Sequence, residues 1–329
     1  MKKHVMDAAI NRFLDPTIPA WGKSEEEIDK PWWPIAEEGC DPALPGGGLA
    51  RHDMLYIGEG CNRMYLIVGG KIVWTYCTGK GWEYDDIWML TNGNILFTRM
   101  YWVAEVTPHK EIVWRMDAPE GTEIHTCQPL GLEHVLLVVN ELPNPRMMII
   151  NKKTGETEVN RIIPYEGPNG THIQNRRFRM TAQGTYLMPY LAPGKVTEFD
   201  KDFNELWTYD IGKPWAAVRL KNGNTLINDE AGDLVREVRP DKSTAWEFRI
   251  SELPAEYRLA GTQSSVRLEN GNTILCARRD NGKTPQLVEV TPDKKVVWVV
   301  KDWKNLGPAT AVHILRDGGV PENPGECMR

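Results

Sequence analysis

The amino-acid sequence predicts an all-β fold, a single closed β-propeller of six blades with an extended N-terminal arm. Three observations lead to this prediction: a strand ending in Trp recurs, an Asn-Gly hairpin recurs, and the two alternate along the chain. Units of about 40–45 residues that contain four short strands are typical of propeller blades. Seven blades is the alternative that this spacing leaves open.

The strand that ends in Trp forms the outer half of each unit. Apolar or β-branched residues precede a Trp at 72–74, 112–114, 206–207, 245–246 and 296–298. A Glu-Val-x-Pro-x-Lys segment, whose Pro favours a tight hairpin, comes just before three of these strands, at 105–110, 237–242 and 289–294. Because the Trp residues occupy one fixed place in each outer strand, we expect them to pack between blades rather than to stack on a sugar.

The other half of the unit is a hairpin between two apolar strands. The segment Leu-x-Asn-Gly-Asn occurs at 90–94, 220–224 and 268–272. Asn-Gly favours the positive φ angles of the turn that joins two antiparallel strands. The inner two strands of a blade are therefore predicted on either side of this turn.

The spacing of the repeats sets the blade count. Complete units are predicted near 81–118, 120–163, 168–211, 213–250 and 258–303. Residues 54–77 supply three strands of a further unit but no innermost strand, and 309–315 resembles an innermost strand without the rest. Pairing the two would close the ring and leave no exposed sheet edge.

The first 51 residues differ in composition, so we divide the chain into an N-terminal arm, 1–51, and a propeller, 52–329. The arm contains six prolines and the Gly46-Gly47-Gly48 run. One short helix is predicted near Ser24–Asp29, where Ser24 could cap it and the glutamates favour its N-terminus. Trp32 and Trp33 are expected to hold the arm against the propeller.

Composition excludes some partners and leaves the compartment open. The net charge of −6 argues against nucleic acid, whose phosphates need clustered Lys and Arg. No apolar run is long enough for membrane insertion, and no secretory signal is visible. The protein is expected to be cytoplasmic, or periplasmic or secreted if a signal was removed. We expect the six cysteines to be reduced, with a Cys40–Cys327 disulfide as the exception to consider.

The innermost strands are expected to bring a set of varied, mostly polar residues to one level of the channel. This set is Asp85, His125, Asn175, Trp215, Gln263 and Thr310, with Gln174 or His172 as alternatives to Asn175 in the fourth blade. Framework positions would repeat from blade to blade, whereas these differ, as expected where several blades meet one ligand. Solvation of the channel mouth is the alternative explanation for their polarity.

A second set of residues follows the second strand of each blade and is expected on the same face. It consists of Glu59, Arg99, Tyr101, Asn140, Glu141, Tyr190, Asn228, Glu230 and Arg278. Arginines grip carboxylate or sulfate groups with two parallel hydrogen bonds, so this set suits an anionic saccharide such as a uronate or sulfated sugar. The alternative is that each Arg pairs with a neighbouring carboxylate in a solvated salt bridge.

His125 and His172 are the candidate catalytic residues, because they lie at the inner strands of adjacent blades. A channel histidine can act as general base, nucleophile or metal ligand, although a hydrogen-bonded structural role is the alternative. His313 has the opposite strand parity and is expected between sheets. No cofactor is predicted, because the chain has no zinc, calcium-loop, phosphate-loop or nucleophile-elbow motif.

The Asn-Gly-Asn turn followed by Glu-Val-Thr-Pro-Asp-Lys resembles the repeats of the bacterial PQQ-like or arylsulfotransferase-like propellers, and the tail at 302–310 and 320–325 looks like an uncharacterised branch of that group. The resemblance covers about residues 52–329 and implies a bacterial, exported protein. It implies arylsulfotransferase-like group transfer as a weaker alternative, although Thr126 and Ile173 stand where that family has the Asp of a His-Asp pair. The six-blade count implies no quinone cofactor.

Three hypotheses about function follow. The first is a carbohydrate-active propeller that binds a small polar or anionic ligand, with lyase or hydrolase chemistry at His125 and His172 and with Arg99 or Arg278 on the acidic group. The second is a non-catalytic scaffold that binds a ligand or protein. The third and weakest is a metal site at the channel centre. From the residues alone, whether the protein is an enzyme stays open.

Overall fold

The computed structural model describes residues 2–18, 20, 36–58, 63–78, 83–277 and 282–329. Within these residues there is one α-helix, α1 at Lys2–Asn11, together with short 3₁₀ turns and 24 strands. None of the helices in these ranges has the length and apolar character needed to cross a membrane. The strands form six antiparallel sheets of four strands each, so the fold is a six-bladed β-propeller and the seven-blade alternative is wrong.

Each blade consists of four strands that follow one another from the channel outwards. Blade 1 contains β24 (Ala311–Ile314), β1 (Met54–Ile57), β2 (Arg63–Val68) and β3 (Lys71–Cys77). Blade 2 contains β4 (Ile87–Met89), β5 (Ile95–Thr98), β6 (Trp102–Val106) and β7 (Ile112–Asp117). Blade 3 contains β8 (Glu123–Leu130), β9 (His134–Asn140), β10 (Arg146–Asn151) and β11 (Thr157–Ile162).

The other three blades follow the same order from the channel outwards. Blade 4 contains β12 (Arg179–Met180), β13 (Tyr186–Tyr190), β14 (Lys195–Phe199) and β15 (Glu205–Asp210). Blade 5 contains β16 (Pro214–Arg219), β17 (Thr225–Asp229), β18 (Leu234–Val238) and β19 (Thr244–Arg249). Blade 6 contains β20 (Thr262–Arg267), β21 (Thr273–Ala277), β22 (Leu287–Val290) and β23 (Val296–Val300).

The ring closes within blade 1, as the sequence predicts. Strand β24 pairs antiparallel with β1, with Met54 opposite Ile314 and Ile57 opposite Ala311. All eight residues of these two strands except His313 are hydrophobic, and all eight are buried. The contact therefore joins both ends of the propeller through a hydrogen-bonded sheet and leaves neither strand as an edge on the channel side.

The two repeated turns are tied to each other by a side-chain hydrogen bond. In blade 2, Gly93 takes a positive φ of 87° in the Asn-Gly turn, which a residue without a Cβ adopts easily. The side chain of Asn94 donates to Glu105 at 2.6 Å. The same bond, also 2.6 Å, recurs from Asn224 to Glu237 and from Asn272 to Glu289. The recurring spacing within the chain thus reflects a bond between the inner and outer hairpins of a blade.

The repeated Trp residues join neighbouring blades. The indole N–H of Trp74 donates to the carbonyl of Pro108 in the next blade at 2.9 Å. Trp207 and Trp246 make the same bond to Pro240 and Pro292. Trp74 is fully buried, which confirms a packing role for it.

The N-terminal arm begins with α1, a helix that the sequence analysis did not predict. Ile10 and Phe13 are buried against blades 1 and 2, and the ring of Phe13 meets that of Trp74 edge to face at 5.3 Å. The predicted helix near 24–29 and the predicted contacts of Trp32 and Trp33 lie outside the described residues. The division at residue 51 stays a prediction.

The Cys40–Cys327 disulfide, the exception considered to reduced cysteines, is not formed. Both residues are free thiols. Cys40 lies beside Gly48, whereas Cys327 packs against the apolar cluster between blades 2 and 3. Burial raises the pKa of the Cys327 thiol to about 11.

Candidate functional site at one mouth of the channel

Irregularities in the inner strands turn the predicted residues toward the channel. In β8 the ladder passes from Ile124 directly to Thr126, so His125 is an extra, bulged residue. The same irregularity skips Trp215 in β16 and Gln263 in β20. A β-bulge re-aims a side chain and is common beside binding sites. Alignment of the repeats therefore located a position that is structurally equivalent in three blades.

Blade 4 departs from this pattern, which explains why its register was uncertain in the sequence. Its inner strand β12 has only two residues, and the chain before it forms a 3₁₀ turn at Thr171–Ile173. Asn175 makes an isolated bridge with Tyr190. This segment brings His172 to His125 of blade 3, with the two ring centroids 5.6 Å apart.

The two histidines belong to one chain of hydrogen bonds. Nδ1 of His125 lies 2.7 Å from Oδ2 of Asp85, and its Nε2 lies 2.7 Å from Oε2 of Glu123. The same Glu123 oxygen lies 3.0 Å from Nδ1 of His172. Nε2 of His172 in turn lies 2.7 Å from a guanidinium nitrogen of Arg176. Residues from blades 2, 3 and 4 thus converge at this mouth.

Glu83 completes the arrangement through longer ion-pair contacts. Its carboxylate lies 3.9 Å from Nδ1 of His125, 3.6 Å from Nε2 of His172 and 3.9 Å from Arg176. Burial, and then the charge of Asp85, raise the pKa of Glu83. We call Glu83, Asp85, Glu123, His125, His172 and Arg176 the channel-mouth cluster.

The electrostatics of the cluster favour a charged His125 between two carboxylates. Burial and Arg176 oppose protonation of His125, but Asp85 and Glu123 outweigh them and raise its pKa. Burial likewise opposes ionisation of Glu123, but hydrogen bonds from His125 and His172 lower its pKa to about 2. Each partner of the His125–Glu123 pair therefore favours the ionised form of the other.

Hydrogen-bond roles define the form of His172. Arg176 can only donate, so Nε2 of His172 accepts its hydrogen bond. Nδ1 then carries the ring hydrogen and donates to Glu123. The His172 side chain is 47% exposed, whereas that of His125 is fully buried. His172 is therefore the histidine of the cluster that faces solvent.

Two carboxylate oxygens of the cluster accept no hydrogen bond within the described part of the chain. They are Oδ1 of Asp85 and Oε2 of Glu83. Asp85 is fully buried, so its oxygen is also shielded from water. An unsatisfied buried carboxylate oxygen is costly, so each such atom in a folded protein calls for a structural or functional explanation.

Several other predicted residues pack around the cluster without facing it. The side chain of Asn140 donates to the backbone carbonyl of Asn175 at 3.0 Å, and the side chain of Asn175 donates to the side-chain oxygen of Asn140. Gln174 donates to the carbonyl of Glu141 at 2.8 Å, and the Glu141 carboxylate pairs with Arg146. These residues fix the loops that carry His172 and Arg176.

The aromatic and arginine residues of the second set have different places. Arg99 is buried, stacks over Tyr84 at 4.3 Å and donates to Thr78. Tyr101 lies at the edge of the cluster, where burial and then the charges of Glu123 and Glu83 raise its pKa. Tyr190 donates to the carbonyl of Pro164 and is buried between blades, which raises its pKa.

The remaining predicted residues that the structure describes each have a different environment. The guanidinium of Arg177 lies 5.1 Å from the ring of Trp215. Gln263 is buried with one carbonyl oxygen that accepts no hydrogen bond from the described residues. The carbonyl of Thr310 accepts from Ser264 at 2.5 Å. Asn228 accepts from Ser265, and Glu230 pairs with Lys213. Arg278 and Glu59 lie outside the described residues.

His313 is buried beside Trp88, as its strand parity predicts. Its Nδ1 accepts from the backbone N–H of Met89 at 3.1 Å. Burial and Arg329 lower its pKa well below the ordinary value. It is a neutral residue between sheets.

Sequence reasoning missed three members of the cluster: Glu83, Glu123 and Arg176. Glu83 precedes Asp85 by two residues, and Glu123 precedes His125 by two. Side chains two apart in an extended segment lie on one face, so this shared Glu-x-Asp and Glu-x-His spacing in adjacent blades was the available signal. Arg176 had no such signal, because the irregular segment of blade 4 positions it.

Two groups within the cluster have the residue types and spacing of metal ligands. One comprises Glu123, His125 and His172, and the other comprises Glu83, Asp85 and His125. In each group the potential ligand atoms lie within 4.8 Å of one another.

The opposite end of the channel is covered by the chain itself. The carbonyl of Glu322 accepts from the backbone N–H of Gly131, and that of Met328 accepts from the backbone N–H of Arg267. Residues 321–329 therefore cross several blades at the end of the channel opposite the cluster. Above them, Arg179 forms two hydrogen bonds of 2.8 and 2.9 Å with Asp86. Arg329 stacks over Trp88 at 3.7 Å.

The fold and the cluster define a six-bladed β-propeller with an acid–base cluster at one mouth of its channel. No protein-family model and no curated protein matches the sequence. The chain is similar to the crystal structure of a protein of unknown function from Bacteroides caccae, with 25% identity and a TM-score of 0.71 over 79% of this chain and 97% of that chain.

Two further similarities are to lyases with the propeller fold. A streptogramin B lyase shares 9% identity at a TM-score of 0.55, over 83% of this chain and 89% of that chain. A catalytically inactive virginiamycin B lyase from Staphylococcus aureus with quinupristin shares 12% identity at a TM-score of 0.54, over 80% of this chain and 89% of that chain. These identities show a common fold alone. The resemblance to PQQ-like and arylsulfotransferase-like repeats stays a prediction.

Proposed function

We propose that the channel mouth binds an acidic saccharide, of the uronate type, and cleaves it by elimination with His172 as the acid–base residue. The observation that carries this proposal is the position of the His172 ring between Glu123 and Arg176. This arrangement combines an oriented base with an anion-binding cation.

Glu123 prepares His172 to accept a proton. Its carboxylate holds the hydrogen on Nδ1, which leaves the lone pair on Nε2. When Nε2 takes a proton, the nearby Glu123 charge stabilises the resulting imidazolium, as in other carboxylate–histidine pairs. The half-exposed ring can reach a ligand at the mouth without rearrangement of the buried strands.

Arg176 is placed to hold the acidic group beside that base. Its side chain is 5% exposed, and the backbone carbonyls of His172 and Asn175 fix the guanidinium. A ligand carboxylate that takes the hydrogen bond from Arg176 would release Nε2 of His172 at the same moment. This residue replaces Arg99, which is engaged with Tyr84 and Thr78.

The reaction uses only groups that this site and the substrate supply. Nε2 of His172 removes the proton from the carbon next to the substrate carboxylate, whose developing charge Arg176 stabilises. The electron pair forms a carbon–carbon double bond, and the bond from the adjacent carbon to the glycosidic oxygen breaks. The imidazolium then returns the proton to that oxygen, which restores His172.

The experiment is a screen of uronate-containing and sulfated oligosaccharides, followed by ultraviolet absorbance of the new conjugated double bond and by product mass. We expect His172→Ala to lower kcat by about 10²-fold or more, the usual contribution of a general acid–base residue. His134→Ala is the matched control, because that histidine lies at the opposite end of β9 from the cluster and contacts Glu158.

Equal rates in the two variants would show that His172 does not carry the chemistry. Specific binding of an oligosaccharide without any turnover would instead favour the non-catalytic scaffold, since Arg176 could hold a ligand without proton transfer. Turnover of arylsulfate donors with no elimination product would favour group transfer.

A further inference from the structure

A second group of potential metal ligands lies on the side of His125 that faces away from Glu123. Nδ1 of His125 lies 2.7 Å from Asp85 and 3.9 Å from Glu83. Two carboxylates from the segment before β4 of blade 2 thus converge on an imidazole nitrogen of blade 3. All three potential ligand atoms lie within 4.8 Å of one another.

The partners present in the described residues do not satisfy these carboxylates. Oδ1 of Asp85 is fully buried and accepts no hydrogen bond there, and neither does Oε2 of Glu83. A buried carboxylate oxygen without a donor is expensive because it has lost its hydration. A cation bound between the two carboxylates and Nδ1 would offset that cost.

The surroundings hold these groups in the orientation that a bound ion requires. Nε2 of His125 contacts Glu123 at 2.7 Å, so the other nitrogen is directed toward Asp85 and Glu83. Metal-binding histidines commonly donate their second N–H to a carboxylate in this way. The backbone carbonyl of Asp85 accepts two hydrogen bonds from Arg177, of 3.2 and 3.1 Å, which fix the position of that residue.

We propose that Glu83, Asp85 and Nδ1 of His125 bind one divalent cation. Two oxygens and one imidazole nitrogen suit Zn²⁺ or Mn²⁺, since imidazole favours the former and carboxylates the latter. The ion takes the place of the hydrogen between His125 and Asp85, while the Nε2–H bond to Glu123 remains. This inference deepens the proposed function, because the ion's charge would lie beside His172, but it is tested without a substrate.

The test is a titration of chelator-treated, full-length protein with MnCl₂, followed by electron paramagnetic resonance, and then competition with ZnCl₂. We expect one bound Mn²⁺ per chain and its displacement by Zn²⁺. Asp85→Asn and Glu83→Gln should each weaken binding at least about tenfold, the range seen when a metal site loses a supporting group. Glu83 is partly exposed, so its variant is expected to fold.

His172→Ala is the discriminating variant, because His172 belongs only to the other possible group of ligands. We expect this variant to bind Mn²⁺ with wild-type affinity while it loses turnover. If His172→Ala abolishes binding and Glu83→Gln does not, the ion belongs to the Glu123–His125–His172 group and our assignment is overturned. Absence of stoichiometric binding to folded wild-type protein also overturns it, and leaves the elimination proposal untouched.

Discussion

Asp85 and Asp86 are adjacent in sequence and fully buried, yet they serve the two ends of the channel in different ways. Asp86 faces the covered end, where Arg179 meets both of its oxygens and the backbone N–H of Cys127 adds a third contact. Asp85 faces the open mouth, where one oxygen contacts His125 and the other has no donor among the described residues. Burial alone therefore does not distinguish these two carboxylates; the oxygen of Asp85 that lacks a donor among the described residues does.

The largest expected loss of stability comes from a substitution at the covered end of the channel. Asp86→Ala should lower the free energy of unfolding by about 3–5 kcal/mol, because it leaves the buried Arg179 without its partner. Chemical denaturation of the variant and the wild type measures this difference. A loss below about 1 kcal/mol would contradict the structural role assigned to this pair, since that is the value of an exposed ion pair.

Glu289 tests whether a fully satisfied carboxylate elsewhere behaves like Asp86. It accepts from Arg51, His52 and Asn272 at 2.6, 2.8 and 2.6 Å, and these bonds lower its pKa to about 2 despite burial. Glu289→Gln should cost about 2 kcal/mol at neutral pH.

The pH dependence of this contribution has a defined sign. The unfolded chain takes up the Glu289 proton near pH 4.5, whereas the folded chain does so only near pH 2. The stabilisation is therefore complete above pH 4.5 and is lost as the pH falls toward 2. Denaturation series between these pH values should show a smaller decline for Glu289→Gln than for the wild type; parallel curves would refute the assignment.

Asp85→Asn sharpens the comparison with its neighbour. We expect a stability change of about 1 kcal/mol or less, because the substitution removes a charge that is only half satisfied. The measurement is the same denaturation series as for Asp86→Ala, with Asp86→Asn as the matched substitution. A loss as large as that of Asp86→Asn would mean that both ends of the channel serve stability equally.

The smallest effect is expected far from the channel. Lys295→Ala removes an ion pair of 2.7 Å with Asp293 in an exposed turn, where the side chains are 77% and 60% exposed. The denaturation curve should coincide with that of the wild type, because exposed ion pairs contribute little to stability. A measurable loss of stability would show that Lys295 makes stabilising contacts in addition to its pair with Asp293.

The repeats made most of the fold predictable. Asn-Gly turns, Trp-ending strands and their spacing each report local structure, and the blade count follows from adding them along the chain. The helix α1 had no repeat to mark it, and its buried residues Met6, Ala9 and Ile10 pack against blades 1 and 2.

The candidate site was predictable only in part. His125, Asp85 and His172 could be found because aligning the repeats compares equivalent positions of the blades, even where the strand itself is bulged or irregular. Arg176 could not, since its place depends on the break in the inner strand of blade 4; in the proposed reaction it takes the role that the sequence suggested for Arg99. Which oxygen lacks a donor is a property of three-dimensional neighbours and leaves no trace in the residue pattern.

The pairing of β1 with β24 has a consequence for biosynthesis. Strand β1 is synthesised before the other strands of the propeller, but its inner partner at Ala311–Ile314 follows all of them in the chain. During translation the first blade is an incomplete sheet with an unpaired edge, which is the kind of surface that recruits wrong partners. The ring can therefore close only once β24 has been synthesised, and until then β1 lacks its inner neighbour.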